Sequence, residues 1–188
     1  MSLLAAAQIY LILDVNSPKQ NEHLNRYEPH TTYTEAYLTH IFLVIEQFSY
    51  YNNTLGFFAG NEIVNDGASA KSSLVYIKAV VRDMKKYISF NSPRHIPVGY
   101  SAADDLMFRT SLSEYLECEG DNPYESVDFY GVNSYQWCGE QSFYTSGYNI
   151  LVDDYSAYTR PVFFSEYVSK QNYPSQTLLT TQDMVAMK

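Results

Sequence analysis

The stretch Leu55-Gly56-Phe57-Phe58-Ala59-Gly60-Asn61-Glu62 decides the fold: an apolar run that ends on an amide and a carboxylate. Such a run reads as a buried strand. About a hundred residues later Pro161-Val162-Phe163-Phe164-Ser165-Glu166 repeats the pattern and again closes on a glutamate. Parallel α/β barrels carry their chemistry at the C-terminal ends of the strands, so Glu62 and Glu166 are the candidate functional groups.

Outward from these two runs, strand and helix signals alternate. Gln8 to Val15 is an aliphatic and β-branched run closed by Asn16-Ser17-Pro18, with Asp14 near its end, as expected of a strand in a parallel sheet. The apolar N-terminus, Met1 to Leu13, has no cationic flank and is interrupted by Asp14, so it reads as strand rather than signal peptide. Pro18 to Thr32 is a long polar loop, expected to wall a cleft. Apolar residues at spacings of three and four predict helices over about Tyr33–Tyr50 and Lys71–Ser89. Asn65-Asp66-Gly67 breaks the pattern before the second of them. Ile96 to Ser101 is a further strand, followed by a shorter helical piece that includes Leu106 to Leu116, a strand over Val127–Tyr135 and a helix over about Gly147–Tyr158 that leads into the run of Glu166. Five strands with four helical segments between them indicate parallel α/β architecture. A complete eight-stranded barrel needs about 250 residues, so this is roughly five-eighths of one.

Composition narrows the function. A net charge of −9 with only 12 basic residues, none clustered, argues against a nucleic-acid or anionic-membrane partner. No apolar run reaches the length of about 18 residues that spans a membrane. Cys118 and Cys138 lack metal-ligand spacing; either they pair with each other, as in a secreted protein, or each has lost a partner. Asp104-Asp105, beyond the third strand, have no third acidic or histidine ligand beside them and read as a solvated loop or a helix cap rather than a metal site. Nineteen tyrosines and 10 phenylalanines make the chain 16% aromatic with tryptophan. Tyrosine offers a flat apolar face and a hydroxyl, which suits sugar-binding clefts as well as packing.

Two carboxylates projecting from strand ends into one cleft are what retaining glycoside chemistry requires, one as acid/base and the other as nucleophile. Asn61, beside Glu62, is suited to hydrogen-bond a substrate 2-hydroxyl, while Phe57 and Phe58 form an apolar floor. Glu166 is flanked by Ser165 and Tyr167, whose hydroxyls suit a nucleophilic carboxylate. The two glutamates are therefore expected to face one cleft.

Several ordered blocks carry a resemblance to a known family: Tyr10-Leu11-Ile12-Leu13-Asp14-Val15-Asn16-Ser17-Pro18, Phe57-Phe58-Ala59-Gly60-Asn61-Glu62, Lys78-Ala79-Val80-Val81-Arg82-Asp83-Met84-Lys85, Ile96-Pro97-Val98-Gly99-Tyr100-Ser101-Ala102-Ala103-Asp104, Asp128-Phe129-Tyr130-Gly131-Val132-Asn133-Ser134-Tyr135-Gln136-Trp137-Cys138-Gly139 and Pro161-Val162-Phe163-Phe164-Ser165-Glu166-Tyr167. Together they resemble the fungal cell-wall β-1,3-glucanosyltransferases of glycoside hydrolase family 72. The resemblance implies an α/β fold, a (β/α)8 TIM barrel of which this chain holds about strands three to seven. It implies Glu62 as acid/base and Glu166 as nucleophile, and a substrate-binding set of Asn61, Tyr135, Asp14 and Tyr100. The implied partners are β-1,3-glucan donor and acceptor chains, with no cofactor, metal or nucleic acid. The implied location is the cell surface or wall, on a glycolipid anchor whose signal this chain does not carry. The family continues Ser-Glu-Tyr with Gly-Cys, the cysteine pairing with the one that matches Cys138; here Val168 and Ser169 stand instead.

Residues 1–167 are thus expected to be a partial catalytic barrel, and 168–188 a disordered tail outside the family pattern. Open parallel edges are aggregation templates, and a domain's net stability is only about 5–15 kcal/mol. The chain by itself is therefore expected not to form a stable, active monomer.

Overall fold

The computed structural model describes residues 1–105, 107–120 and 122–167. The tail expected over 168–188 lies outside the described residues. Five parallel strands, β1 (Leu11–Asp14), β2 (Thr54–Asn61), β3 (Val98–Ala102), β4 (Phe129–Ser134) and β5 (Val162–Tyr167), lie in one sheet in the order of the chain. A strand order that never reverses, with right-handed crossovers, keeps every helix on the same face. The other face then curls inward, which gives a half-barrel rather than a doubly wound sheet.

The N-terminus departs from the expected strand. Ser2–Ala6 forms a short helix, α1, and the strand begins only at Leu11. A strand needs a ladder partner for its backbone groups. The neighbouring strand starts at Thr54, opposite Leu11, so residues before Leu11 have no ladder to join, and Ser-Leu-Leu-Ala-Ala has good helix propensity. After the loop comes a short turn of helix, α2 (Pro29–Thr32), and then α3 (Glu35–Ser49).

The next helix, α4 (Gly67–Asn91), begins four residues before the apolar periodicity suggests, because Asp66 caps it. The Asp66 carboxylate accepts from the Ser69 N–H at 2.7 Å, and Ser69 Oγ accepts from the Asp66 N–H at 3.0 Å, a reciprocal capping box. The remaining helices are α5 (Arg109–Glu117) and α6 (Tyr148–Asp154), with a 3-10 turn at Pro123–Glu125 before β4.

The core lies between sheet and helices. Phe57, Ala59, Val98, Tyr100, Tyr130 and Val132 face it from the strands, against Tyr37, Ile41 and Ile45 of α3 and Ile77, Val80, Val81 and Met84 of α4. The inner face carries a different set. Phe58, Phe129 and Phe163 meet there with ring centroids 5.4, 5.6 and 6.3 Å apart. Gly99 leaves the room for this, since a Cβ there would stand 2.2 Å from the Phe129 ring.

Strict alternation fails where it matters. Phe58 pairs with Gly99 and Asn61 with Ser101, so β2 carries one residue more than β3 over that interval. Likewise Val132 pairs with Phe164 and Asn133 with Glu166, which gives β5 one residue more than β4. Such bulges re-aim side chains. Both fall within the last turn of pleat before a glutamate.

Candidate active site

Glu62 follows β2 with a φ of +51°, in the left-handed region that costs a residue with a side chain about 1–3 kcal/mol. The surroundings hold it there. Its N–H donates to the Ser101 carbonyl at 2.9 Å. Two residues on, the Val64 N–H donates to the Tyr100 hydroxyl at 3.0 Å. Tyr100 is wholly buried, which pushes its phenol well above the usual range. It therefore stays a protonated support beneath the Glu62 loop. Sequence reasoning put Tyr100 in the substrate-binding set; the structure places it under the cleft, because its position on β3 faces the helices while Ser101 faces inward.

A chain of amides joins the two glutamates. Asn133 Nδ2 donates to Glu62 Oε1 at 2.7 Å and to Asn61 Oδ1 at 3.2 Å. Asn61 Nδ2 in turn donates to Glu166 Oε1 at 3.2 Å. The other oxygen of Glu166 accepts from the Tyr135 hydroxyl. Burial, and after it that bond to Glu166, raises the Tyr135 phenol far above its ordinary value, so it remains a donor. The structure thus brings Glu62, Glu166, Asn61 and Tyr135 together at the strand ends.

Asp14 stands at the end of β1, on a cavity of about 750 Å³ that Asn61, Asn16, Arg26 and Tyr27 also line. Burial raises its carboxyl from the ordinary value, while the backbone and side-chain N–H groups of Asn16, both 2.9 Å from Oδ1, act against that rise. Pro18, His23 and Asn25 line the same cavity, so the loop after β1 is a cleft wall as its length and polarity suggest. A second hollow of about 350 Å³, lined by Lys85, Arg94, His95 and Tyr124 beside the start of β3, lies at the opposite end of the strands.

Sequence reasoning missed two inward-facing polar residues, Asn133 and Ser101, and expected the Ser165 hydroxyl on Glu166, whereas it bonds to them. Asn133 is wholly buried, and its Oδ1 accepts from Ser165 Oγ at 2.8 Å and Ser101 Oγ at 3.1 Å. The signal was present: each of β3, β4 and β5 carries a small polar residue near its C-terminal end. Asp104 is neither a solvated loop residue nor a helix cap. It accepts from the Tyr135 N–H at 3.3 Å and from Gln136 Nε2 at 3.2 Å, and pairs with buried Arg109 at 3.8 Å. It therefore braces the turn that presents Tyr135. Asp105 accepts from the Met107 N–H at 2.7 Å. Among the described residues no cluster of three histidine, cysteine or acidic side chains is arranged to hold a metal. Cys118, exposed after α5, does not bond to Cys138, whose Sγ lies 3.8 Å from the Tyr135 carbonyl.

Known proteins share this fold. The chain is 67% identical over 177 residues to the 1,3-beta-glucanosyltransferase GAS4 of Saccharomyces cerevisiae, covering 94% of this chain and 38% of that protein. It is 43% identical over 190 residues to the 1,3-beta-glucanosyltransferase gel1 of Aspergillus fumigatus, covering 100% of this chain and 41% of that one. Among solved structures, Saccharomyces cerevisiae Gas2p in complex with laminaritriose and laminaritetraose superposes with a TM-score of 0.83 at 39% identity, over 92% of this chain and 38% of that one. The chain spans about two-fifths of the length of the curated relatives it matches. A match to the family described as glucanosyltransferase, glycoside hydrolase 72, extends over residues 1–182: the chain belongs to that family.

Proposed function

We propose that the protein is a retaining β-1,3-glucan glucanosyltransferase, in which Glu166 is the nucleophile and Glu62 the acid/base. A Glu166 oxygen attacks the anomeric carbon of an internal β-1,3 linkage. The glycosidic bond breaks, its oxygen takes the proton of Glu62, and the sugar is left as an ester on Glu166. Glu62, now ionised, removes the proton from the 3-hydroxyl at the non-reducing end of a second glucan. That oxygen attacks the anomeric carbon, the ester bond breaks and Glu166 returns as a carboxylate. Two inversions retain the β configuration. Asn61, Tyr135 and Asp14 bind the donor sugars around the reacting centre.

The observation that carries this reading is the hydrogen-bonded bridge from Glu62 through Asn133 and Asn61 to Glu166. It holds two carboxylates from different strands together and caps each with a neutral donor. The reading puts the protein at the fungal cell surface, where β-1,3-glucan is assembled. The glycolipid anchor that the family resemblance implies is the proposed means of attachment.

The test replaces the matching segment of the Saccharomyces GAS4 relative with residues 1–167 and supplies the chimera with laminari-oligosaccharides. Elongated and shortened β-1,3 products are expected. Glu166→Gln should abolish the glycosyl-enzyme, and Glu62→Gln should slow both proton-dependent steps by about 10²–10⁴. A folded chimera that makes no transfer products, or a Gln variant with the parent product pattern, overturns the reading.

A further inference from the structure

We propose that Asn133 is the positioning residue shared by the two glutamates, an inference that rests on reading Glu62 as acid/base and Glu166 as nucleophile. A side-chain amide has two donor protons and a carbonyl oxygen with two lone pairs. In Asn133 all four are used: Nδ2 on Glu62 Oε1 and Asn61 Oδ1, Oδ1 on the hydroxyls of Ser101 and Ser165. The residue is wholly buried and flanked by core strands.

Which end of the amide faces Glu62 follows from its partners. Asn61 Oδ1 can only accept, and Asn61 Nδ2 is already on Glu166, so Asn133 Nδ2 must point at Asn61 Oδ1 and, beside it, at Glu62 Oε1. The two serine hydroxyls, 2.7 Å from each other, are left for Oδ1. Turning the amide over would set its carbonyl against the Glu62 carboxylate and leave Asn61 Oδ1 without its donor. The bulge on β5 makes the lock possible: it sets both Ser165 and Glu166 opposite Asn133, so one strand supplies a clamp for the amide and the nucleophile beside it. Asn133 therefore holds Glu62 in one orientation through both half-reactions, in which Glu62 must first give and then take a proton. Through Asn61 it also fixes the group that donates to Glu166.

A positioning role for Glu62 makes a donor-dependent prediction. The sugar leaving group of a laminari-oligosaccharide is a poor one unless the Glu62 proton lets it depart as an alcohol, whereas fluoride leaves a β-laminaribiosyl fluoride without one. In the chimera, Asn133→Ala is expected to lower kcat on laminari-oligosaccharides by about a hundredfold, the cost of displacing a catalytic group by about 1 Å, with KM within about twofold. On the fluoride donor the rate of glycosyl-enzyme formation should fall by less than about tenfold. Ser101→Ala leaves Asn133 in place and removes one of the two hydroxyls on its Oδ1. It should show the same donor dependence at about tenfold, and it decides the matter if Asn133→Ala does not fold. Equal losses on both donors, a rise in KM with kcat unchanged, or no loss overturns the proposal. A folded parent chimera without transfer activity instead overturns the assignment of the glutamate pair.

Discussion

Asn61 Nδ2 lies 3.2 Å from Glu166 Oε1, a contact between residues 105 positions apart in the chain. Their strands, β2 and β5, are not neighbours; β3 and β4 lie between them. In a flat sheet, three inter-strand steps of about 4.8 Å would hold the two backbones about 14 Å apart, beyond the reach of an asparagine and a glutamate with short contact to spare. The bond forms because the sheet curls, and Phe58 of β2 meets Phe163 of β5 at 6.3 Å for the same reason. Barrel curvature and catalytic geometry are here one feature.

Removing that bond tests its share of the chemistry. Asn61→Ala deletes the donor to Glu166 and the acceptor for Asn133. A hydrogen bond to a charged group contributes about 1.5–3 kcal/mol. On that scale kcat of the chimera on laminari-oligosaccharides should fall by about ten- to a hundredfold. A variant with unchanged kcat would show that the bridge is structural only.

The tyrosines give the fold an alkaline limit. Tyr33 is pushed up to about 12, first by burial and then by its bond to Asp83; Tyr87 is pushed up to about 12, first by its bond to Glu46. Tyr37, Tyr130, Tyr148, Tyr155 and Tyr158 are raised chiefly by burial. An unfolded tyrosine titrates near about 10. Folded pKa values above the unfolded one mean that the native state holds its protons longer. The stabilisation is thus whole below about pH 10 and is lost as pH rises toward about 12. The urea midpoint of the chimera should fall above about pH 10, and Tyr33→Phe should make that fall shallower. A midpoint independent of pH up to about 12 would contradict this.

Much of this was legible in the sequence. Apolar runs ending on Glu62 and Glu166, with helical periodicity between, specify parallel units and place both carboxylates at strand ends. What sequence could not show depends on register. Whether Tyr100 or Ser101 faces the cleft is a one-residue question, and a one-residue slip turns a side chain to the other face. The bulges before Asn61 and Glu166 are such slips; Gly60 is the kind of residue that marks one, while nothing in Phe164-Ser165 announces the other. Asn133 was hidden for a related reason: its importance lies in four partners on three other strands. The N-terminal helix was missed because the apolar residues of Met1 to Tyr10 suit either state, and the choice was made by where β2 begins.

Arg109 should prove the costliest charged residue to remove. It is wholly buried between Asp104 and Asp154, at 3.8 and 3.3 Å. A fully buried pair would cost about 3–5 kcal/mol to break, but the Asp104 and Asp154 side chains stay 15% and 31% exposed, so the charges left behind are partly solvated and the cost is about 1–3 kcal/mol. Arg109→Leu should lower the unfolding free energy of the chimera by about that amount. Asp104 also holds the Tyr135 N–H and Gln136, so KM for laminari-oligosaccharides should rise as well. Adding Asp154→Asn should recover part of the stability, and a double variant no more stable than Arg109→Leu would count against the ion-pair account.

Tyr100→Phe isolates the support beneath Glu62. The substitution keeps the ring, which packs in the core near Gly60 and Tyr130, and deletes only the oxygen that accepts the Val64 N–H. A buried donor left without an acceptor costs about 1–3 kcal/mol. That is comparable to the strain of about 1–3 kcal/mol carried by a residue held in the left-handed region, as Glu62 is at a φ of +51°. Loss of the anchor therefore allows the Glu62-Ile63-Val64 segment to relax, and the acid/base loses its aim. Glu166 and its partners Asn61 and Tyr135 keep their contacts. The expected result is a chimera destabilised by about 1–3 kcal/mol in urea unfolding, with a lower kcat on laminari-oligosaccharides, a nearly unchanged KM, and a smaller loss on the fluoride donor. Equal stability and activity in Tyr100→Phe would mean that the Ser101 carbonyl alone holds the loop.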